Sequence, residues 1–231
     1  MFRWTRIVCV LTMIGTLAAA GQQPAAQKQP PAAKKQPRPA PDPKLFGPQW
    51  VALFNGKDLT GWVNIGEEKW VVENGTIYGE GVSTKYGYLA TDKDYKDFDL
   101  SLQFKCEGPG NSGVYIHTRF KPGTVDVSEG YQVEIDRNLN RHTGGLYGDG
   151  RAWWVWPAAE NESVLRPYDW NDMLIHVAGN RTWVRLNGVL MVDYTNPIPQ
   201  STDGVIALQL HAGGEGKMRF KDIHIRDLSI R

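Results

Sequence analysis

The chain has 231 residues, is 41% hydrophobic and 11% aromatic, and is nearly neutral, with 26 basic and 25 acidic residues. Seven of the basic residues but only one acidic residue precede position 45, so the remainder carries a net charge of about −5, which argues against nucleic acid as a partner. Of the two cysteines, Cys9 lies in the apolar leader, so a mature chain keeps only Cys106; no intramolecular disulfide can form and stability must rest on core packing.

Residues 1–21 read as a secretory signal peptide. Arg3 and Arg6 form a basic start, Ile7 to Leu17 is apolar, and Ala18-Ala19-Ala20-Gly21 is a small-residue cleavage region. The apolar run is shorter than the ~20 residues that a membrane span takes, so no span is expected once the signal is cleaved; an uncleaved anchor is the alternative. The expected location is secreted or periplasmic. Residues 22–44 are Pro, Ala, Gln and Lys with almost nothing apolar, a disordered, semi-extended tether. Residues 45–231 are long enough for one large all-β domain.

Within that domain periodicity near two recurs, which marks half-buried strands. It runs through Asp99 to Cys106, Val114 to Arg119, Tyr131 to Asp136, Leu174 to Ala178, Trp183 to Leu186, Val205 to Leu210 and Ile223 to Leu228. Asn55-Gly56, Asn74-Gly75, Pro109-Gly110, Gly144-Gly145 and Asn187-Gly188 punctuate the strands, and Trp183 to Val192 reads as a hairpin about Asn187-Gly188. Many short strands with regular turns indicate a sandwich or barrel.

Alternation assigns faces. Val114, Ile116, Val133, Ile135, Ile206, Leu208 and Leu210 point to the core. Tyr115, His117 and Arg119 share the other face, as do Gln132, Glu134 and Asp136, and Ala207, Gln209 and His211. A face carrying so many forked hydrogen-bonding groups beside aromatics resembles a ligand surface more than a solvated one.

Glu134-Ile135-Asp136 is the leading chemical motif. Carboxylates at i and i+2 of a strand stand roughly 7 Å apart and raise each other's pKa. A retaining glycosidase of the E-x-D-x-x-E or E-x-D-x-E pattern needs a further Glu on the same strand; Arg137-Asn138-Leu139-Asn140 supplies none. The structural alternative pairs Glu134 and Asp136 with Arg119 or Arg137. Trp153, Trp154 and Trp156 follow the Gly-rich stretch that carries Tyr147; indole faces stack on sugar rings, so all four are candidate binding residues, with Tyr115, Gln132 and Gln209. His117 and His211 are candidates for acid–base work or, with the carboxylates, for a divalent cation. His142, in a loop, is a further approach to the site. His176, His224 and Cys106 read as structural. No phosphate loop, dinucleotide fingerprint or nucleophile elbow is present.

Trp50-Val-Ala-Leu-Phe-Asn-Gly-Lys-Asp-Leu-Thr-Gly-Trp62 resembles the opening of the 3-keto-disaccharide hydrolase domain family. Trp70 to Ile77, Gly110 to Ile116, Gly130 to Asp136, Thr143 to Tyr147, Trp170-Asn171, Leu186 to Val189, Ile206 to His211 and Phe220 to Ile223 continue the likeness in order. The resemblance implies a concanavalin A-like jelly-roll β-sandwich of two antiparallel sheets, with a concave carbohydrate-binding face, in exported bacterial proteins acting on 3-keto-glycosides. Many members carry E-V-Q where this chain has Gln132-Val133-Glu134.

The expected substrate is therefore an oxidised disaccharide or glycoside, cleaved by elimination and hydration: the C3 ketone acidifies the C2 proton, the group at C1 departs, and water adds back. This chemistry needs a base, a proton donor and an electrophile for the enolate oxygen. Glu134 is assigned as base, His117 or His211 as donor, and Arg119 or a bound divalent cation as electrophile, with Asp136 orienting Arg119 or binding the cation. The alternatives are a non-catalytic lectin-like carbohydrate-binding module and a family 16-like endoglucanase.

Overall fold

The computed structural model describes residues 49–148 and 152–229. The signal peptide 1–21 and the tether 22–44 lie outside the described residues, as do Asp149, Gly150 and Arg151 in the Trp-rich region.

In chain order the elements begin with β1 (Val51–Ala52), β2 (Trp62–Ile65), β3 (Lys69–Glu73), β4 (Thr76–Glu80), β5 (Gly87–Thr91) and β6 (Phe98–Cys106). There follow β7 (Asn111–Phe120), β8 (Val127–Asp136), β9 (Leu146–Gly148), β10 (Trp153–Val155) and the short helix α1 (Ala159–Glu162). The last are β11 (Asn171–Ala178), β12 (Arg181–Leu186), β13 (Val189–Thr195), β14 (Val205–Leu210) and β15 (Lys217–Asp227). They form two antiparallel sheets, one in the order β13-β12-β11-β6-β15-β4-β3 with β1 on β15, the other in the order β10-β9-β8-β7-β14-β5-β2. This is the expected all-β sandwich.

The core lies between the sheets. Leu100, Leu102 and Phe104 of β6 and Phe220 of β15 face Val114 and Ile116 of β7, Val133 and Ile135 of β8, and Ile206, Leu208 and Leu210 of β14, all fully buried. Each large apolar side chain removed from water this way contributes roughly 1.5–3 kcal/mol, the principal stabilisation in a chain without a disulfide. Burial pushes the Cys106 thiol up to about 12, which keeps it un-ionised and unreactive. The β12–β13 turn has Asn187 and Gly188 at φ 52° and 88°, the two positive values that a two-residue hairpin of matching twist requires.

One face assignment fails. Ile116 pairs with Tyr131 but Arg119 pairs with Glu129, and on the other side Tyr115 pairs with Ala207 but Thr118 with Val205. Strand β7 thus holds one extra residue against both neighbours, a bulge centred on His117, whose φ is 51°. An extra residue inverts the alternation. Beyond it Phe120, five residues on, joins Tyr115 against the ring of Tyr88, and His117 and Arg119 leave the face they were expected to share with Tyr115.

Candidate functional site

The outer face of the seven-stranded sheet carries a groove of about 490 Å³, within the ~300–1,000 Å³ typical of small-molecule sites. Strand pairing sets its floor in rows. Gln209, Gly113 and Glu134 stand side by side on β14, β7 and β8, as do Ala207, Tyr115 and Gln132 one step along. Tyr88 on β5 flanks Gln209, and Tyr147 on β9 flanks Gln132. Trp153 meets Tyr147 edge to face at 5.3 Å. Tyr86, Tyr88, Tyr147, Trp153 and His142 line the walls.

Glu134 sits in the floor, 5% exposed. Asn111 Nδ2 donates to its Oε1 and Gln132 Nε2 to its Oε2, the latter at 2.7 Å. The same Gln132 nitrogen donates to the Ser112 carbonyl at 3.1 Å. Gln132 lies across Gly113, where a Cβ would come within 2.5 Å of its Cγ; only glycine leaves room for that crossing. Burial raises the Glu134 carboxyl from 4.5 to about 8, with a smaller push from Asp136, against the pull of the Asn111 hydrogen bond.

Asp136 serves the loop. Its Oδ1 accepts from the backbone and side-chain nitrogens of Asn138 at 2.7 and 2.9 Å, and Thr143 Oγ1 bonds to its backbone N and O. The residue that would be the further glycosidase Glu is therefore an asparagine that ties one oxygen of Asp136. Among the described residues neither carboxylate forms an ion pair with Arg119 or Arg137.

His211 stands at the β14 end of the groove. Its Nδ1 is 3.0 Å from the Ala212 carbonyl, which needs a donor, so Nε2 carries the lone pair, 3.4 Å from the Tyr86 hydroxyl. Gln209 is 1% exposed; its Nε2 reaches the Tyr115 hydroxyl at 3.4 Å, and its Oε1 has no partner among the described residues. Whichever way that amide is turned, one end of it remains for a ligand. Burial first, then Tyr88, raises the Tyr115 phenol far above its usual range and keeps it a donor.

Of the residues singled out from the sequence, Glu134, Asp136, His211, Tyr115, Gln132, Tyr147, Trp153 and Gln209 line this groove. His117 does not: the bulge turns it inward, where Nε2 lies 2.7 Å from the Lys96 carbonyl and its ring packs edge-on to Phe98 and Tyr131, and burial lowers its pKa. Arg119 is held outside by Asp94 at 2.5 Å and Asp203 at 3.4 Å. Trp154 turns to the opposite side from Trp153 and packs on Tyr131 and Tyr194. Trp156 is exposed, beside His142 rather than in the groove lining.

The sequence reading missed Asn111, Tyr86, Tyr88 and Arg141 as lining residues. The alternation of Tyr86-Gly-Tyr88 was the available signal for two of them. Among the described residues no group of three or more His, Cys, Asp or Glu side chains stands close enough to hold a metal ion.

Residues 49–226 match the family described as 3-keto-alpha-glucoside-1,2-lyase-like domain. A 3-keto-disaccharide hydrolase of Bacteroides thetaiotaomicron is 30% identical over 129 residues, 42% of this chain and 44% of that protein, so the match spans less than half of the relative. A crystal structure of a candidate glycosyl hydrolase from Parabacteroides distasonis superposes with a TM-score of 0.62 at 26% identity, covering 78% of this chain and 94% of that one. The carbohydrate binding module CBM66 from Bacillus subtilis shares the fold, with a TM-score of 0.54 at 13% identity over 72% of this chain and 96% of that one. With a sandwich of two antiparallel sheets and a match over residues 49–226, the chain belongs to the family of 3-keto-alpha-glucoside-1,2-lyase-like domains.

Proposed function

We propose that the groove cleaves the glycosidic bond of 3-keto-glycosides by elimination followed by hydration. The observation that carries this reading is Glu134: a buried carboxyl raised to about 8, at the floor of an aromatic-walled groove, flanked by neutral amides rather than by a second catalytic carboxylate. That is the equipment for polarising a ketone. It is not the acid–nucleophile pair, about 5–5.5 Å apart, of a retaining glycosidase.

The burial that raises Glu134 also changes its role from the base that the sequence suggested. Raised to about 8, it holds its proton at neutral pH, and a neutral carboxylic acid donates a hydrogen bond to an enolate oxygen. The base role then falls to Nε2 of His211, where the Nδ1 bond to Ala212 leaves the lone pair, beside the Tyr86 hydroxyl. His211 takes the C2 proton, the C2–H electron pair forms the enolate, and O3 gains a charge that the Glu134 O–H stabilises. Collapse of the enolate restores the ketone, forms C1=C2 and expels O1 with its bonding pair. Water then adds to C1 as His211 returns its proton to C2, and the proton that the water gives up balances the one that the departing O1 takes. Gln209 and Tyr115 supply hydrogen bonds to ring hydroxyls, and Tyr147 and Trp153 offer stacking faces.

Export belongs to the same proposal, supported by the leader 1–21 and the tether 22–44. The test is incubation of the purified protein with methyl 3-keto-α-glucoside and with the unoxidised glucoside. Cleavage of the first alone supports the reading. A sugar-dependent rise in melting temperature without product indicates a binding module instead.

A further inference from the structure

The β8–β9 loop brings a second histidine to the groove, and a buried carboxylate is devoted to it. His142 lines the groove. Glu162, at the end of α1 and 6% exposed, accepts from His142 Nδ1 at 2.8 Å with Oε1, and from the His142 backbone N–H at 3.0 Å with Oε2. Both oxygens of one carboxylate thus serve one residue twenty positions away. Burying a carboxylate is costly unless it is well satisfied, and an anion at Nδ1 fixes a ring's orientation and tautomer and leaves Nε2 as the proton-exchanging end.

The rest of the surroundings aim the same ring. The edge of His142 meets Trp153 at 5.0 Å and 87°, and Trp156 lies 5.7 Å away at 30°. The backbone of His142 has φ 66°, a left-handed conformation that a non-glycine residue holds only when its surroundings impose it. Trp156, 54% exposed, presents an apolar face beside the ring, suited to a departing group that is itself a sugar or aryl ring.

We infer that His142, on the β8–β9 loop, is the catalytic acid for the leaving group, positioned by Glu162, while His211 lines the groove from the end of β14. The inference rests on the elimination reading above, which leaves the proton for O1 unassigned. His142 Nε2–H gives its proton to O1 as the C1–O1 bond breaks and O1 departs with the bonding pair. In the hydration half the neutral ring takes a proton from water as the water oxygen bonds to C1. His211 meanwhile returns its proton to C2, and both histidines regain their starting states.

The test compares leaving groups on one protein. Methoxide needs a proton to depart; 4-nitrophenolate does not. His142→Gln should lower kcat/KM on methyl 3-keto-α-glucoside by ~100-fold or more, the usual weight of a general acid, and on 4-nitrophenyl 3-keto-α-glucoside by less than ~5-fold. Glu162→Gln, which keeps an acceptor oxygen but loses the charge, should give the same selective pattern at ~10-fold. Equal losses on both substrates, whether from misfolding or from a lost loop clasp, would overturn the assignment. If wild-type protein cleaves neither substrate, the elimination reading fails first and the assignment falls with it.

Discussion

Gln132 and Glu134 stand two residues apart on one strand face, and the Gln132 amide donates to Glu134 Oε2 at 2.7 Å. With Asn111 on the other oxygen, both immediate partners of the buried carboxyl are neutral. Among the described residues no cation offsets the desolvation, so burial dominates and the pKa rises. A lysine or arginine at either position would reverse that balance.

Glu134 links stability to pH. Its folded value of about 8 stands above the ordinary 4.5, so between these values the folded state binds the extra proton. Stability from this group is complete below about pH 4.5 and is lost as pH rises through 8, at ~1.4 kcal/mol per unit across the window. Glu134→Gln lacks this loss, and a flipped Asn111 amide can satisfy the new NH2. The melting temperature of Glu134→Gln relative to wild type should climb steadily from pH 5 to pH 8.5. A difference independent of pH would contradict the assignment.

Trp153 and Trp154 are adjacent in sequence and should behave oppositely. Trp154 packs on Tyr131 and Tyr194, and its replacement by alanine should cost about 3 kcal/mol in denaturant unfolding. Trp153→Ala should leave stability within about 1 kcal/mol and weaken sugar binding, measured by calorimetry, about tenfold.

Gln209 holds a buried amide with one end unsatisfied among the described residues. Gln209→Met should keep or raise the melting temperature, because it removes an unmet polar group. It should also raise KM for the 3-keto-glycoside about tenfold, since the sugar loses a hydrogen bond. A fall in stability with KM unchanged would assign the residue to the scaffold.

Arg119 is a partly exposed residue held by Asp94 and Asp203. Arg119→Ala should change stability by less than about 1 kcal/mol and leave kcat/KM within about twofold. A large kinetic loss would mean that the groove extends around the bulge.

The sandwich and most of the groove were legible because strand alternation is a local property. Val133 and Ile135 alternate with Gln132, Glu134 and Asp136, and β8 keeps strict register through them, so the faces follow. His117 was misplaced because a bulge leaves little mark in a sequence; its traces are glycines on the neighbouring segments, Gly130 at φ 110° with no space for a Cβ against the Ile116 carbonyl, and Gly204, whose Cβ would meet the His117 backbone. The pairing of His142 with Glu162 depends on how a loop and a one-turn helix pack, and no periodicity encodes that. The alternative that paired Glu134 and Asp136 with Arg119 or Arg137 is not realised among the described residues: Asp136 finds its donors in Asn138, within its own turn.

The proposed reaction is elimination across C1 and C2 of a 3-keto sugar. Its most direct test is cleavage of methyl 3-keto-α-glucoside in heavy water, with the released sugar analysed by NMR against an enzyme-free control. Elimination leaves deuterium at C2 of the released 3-keto-glucose, because the proton returned to that carbon comes from a solvent-exchanged histidine. Cleavage with the original hydrogen retained at C2 would contradict it and return the groove to direct displacement at C1.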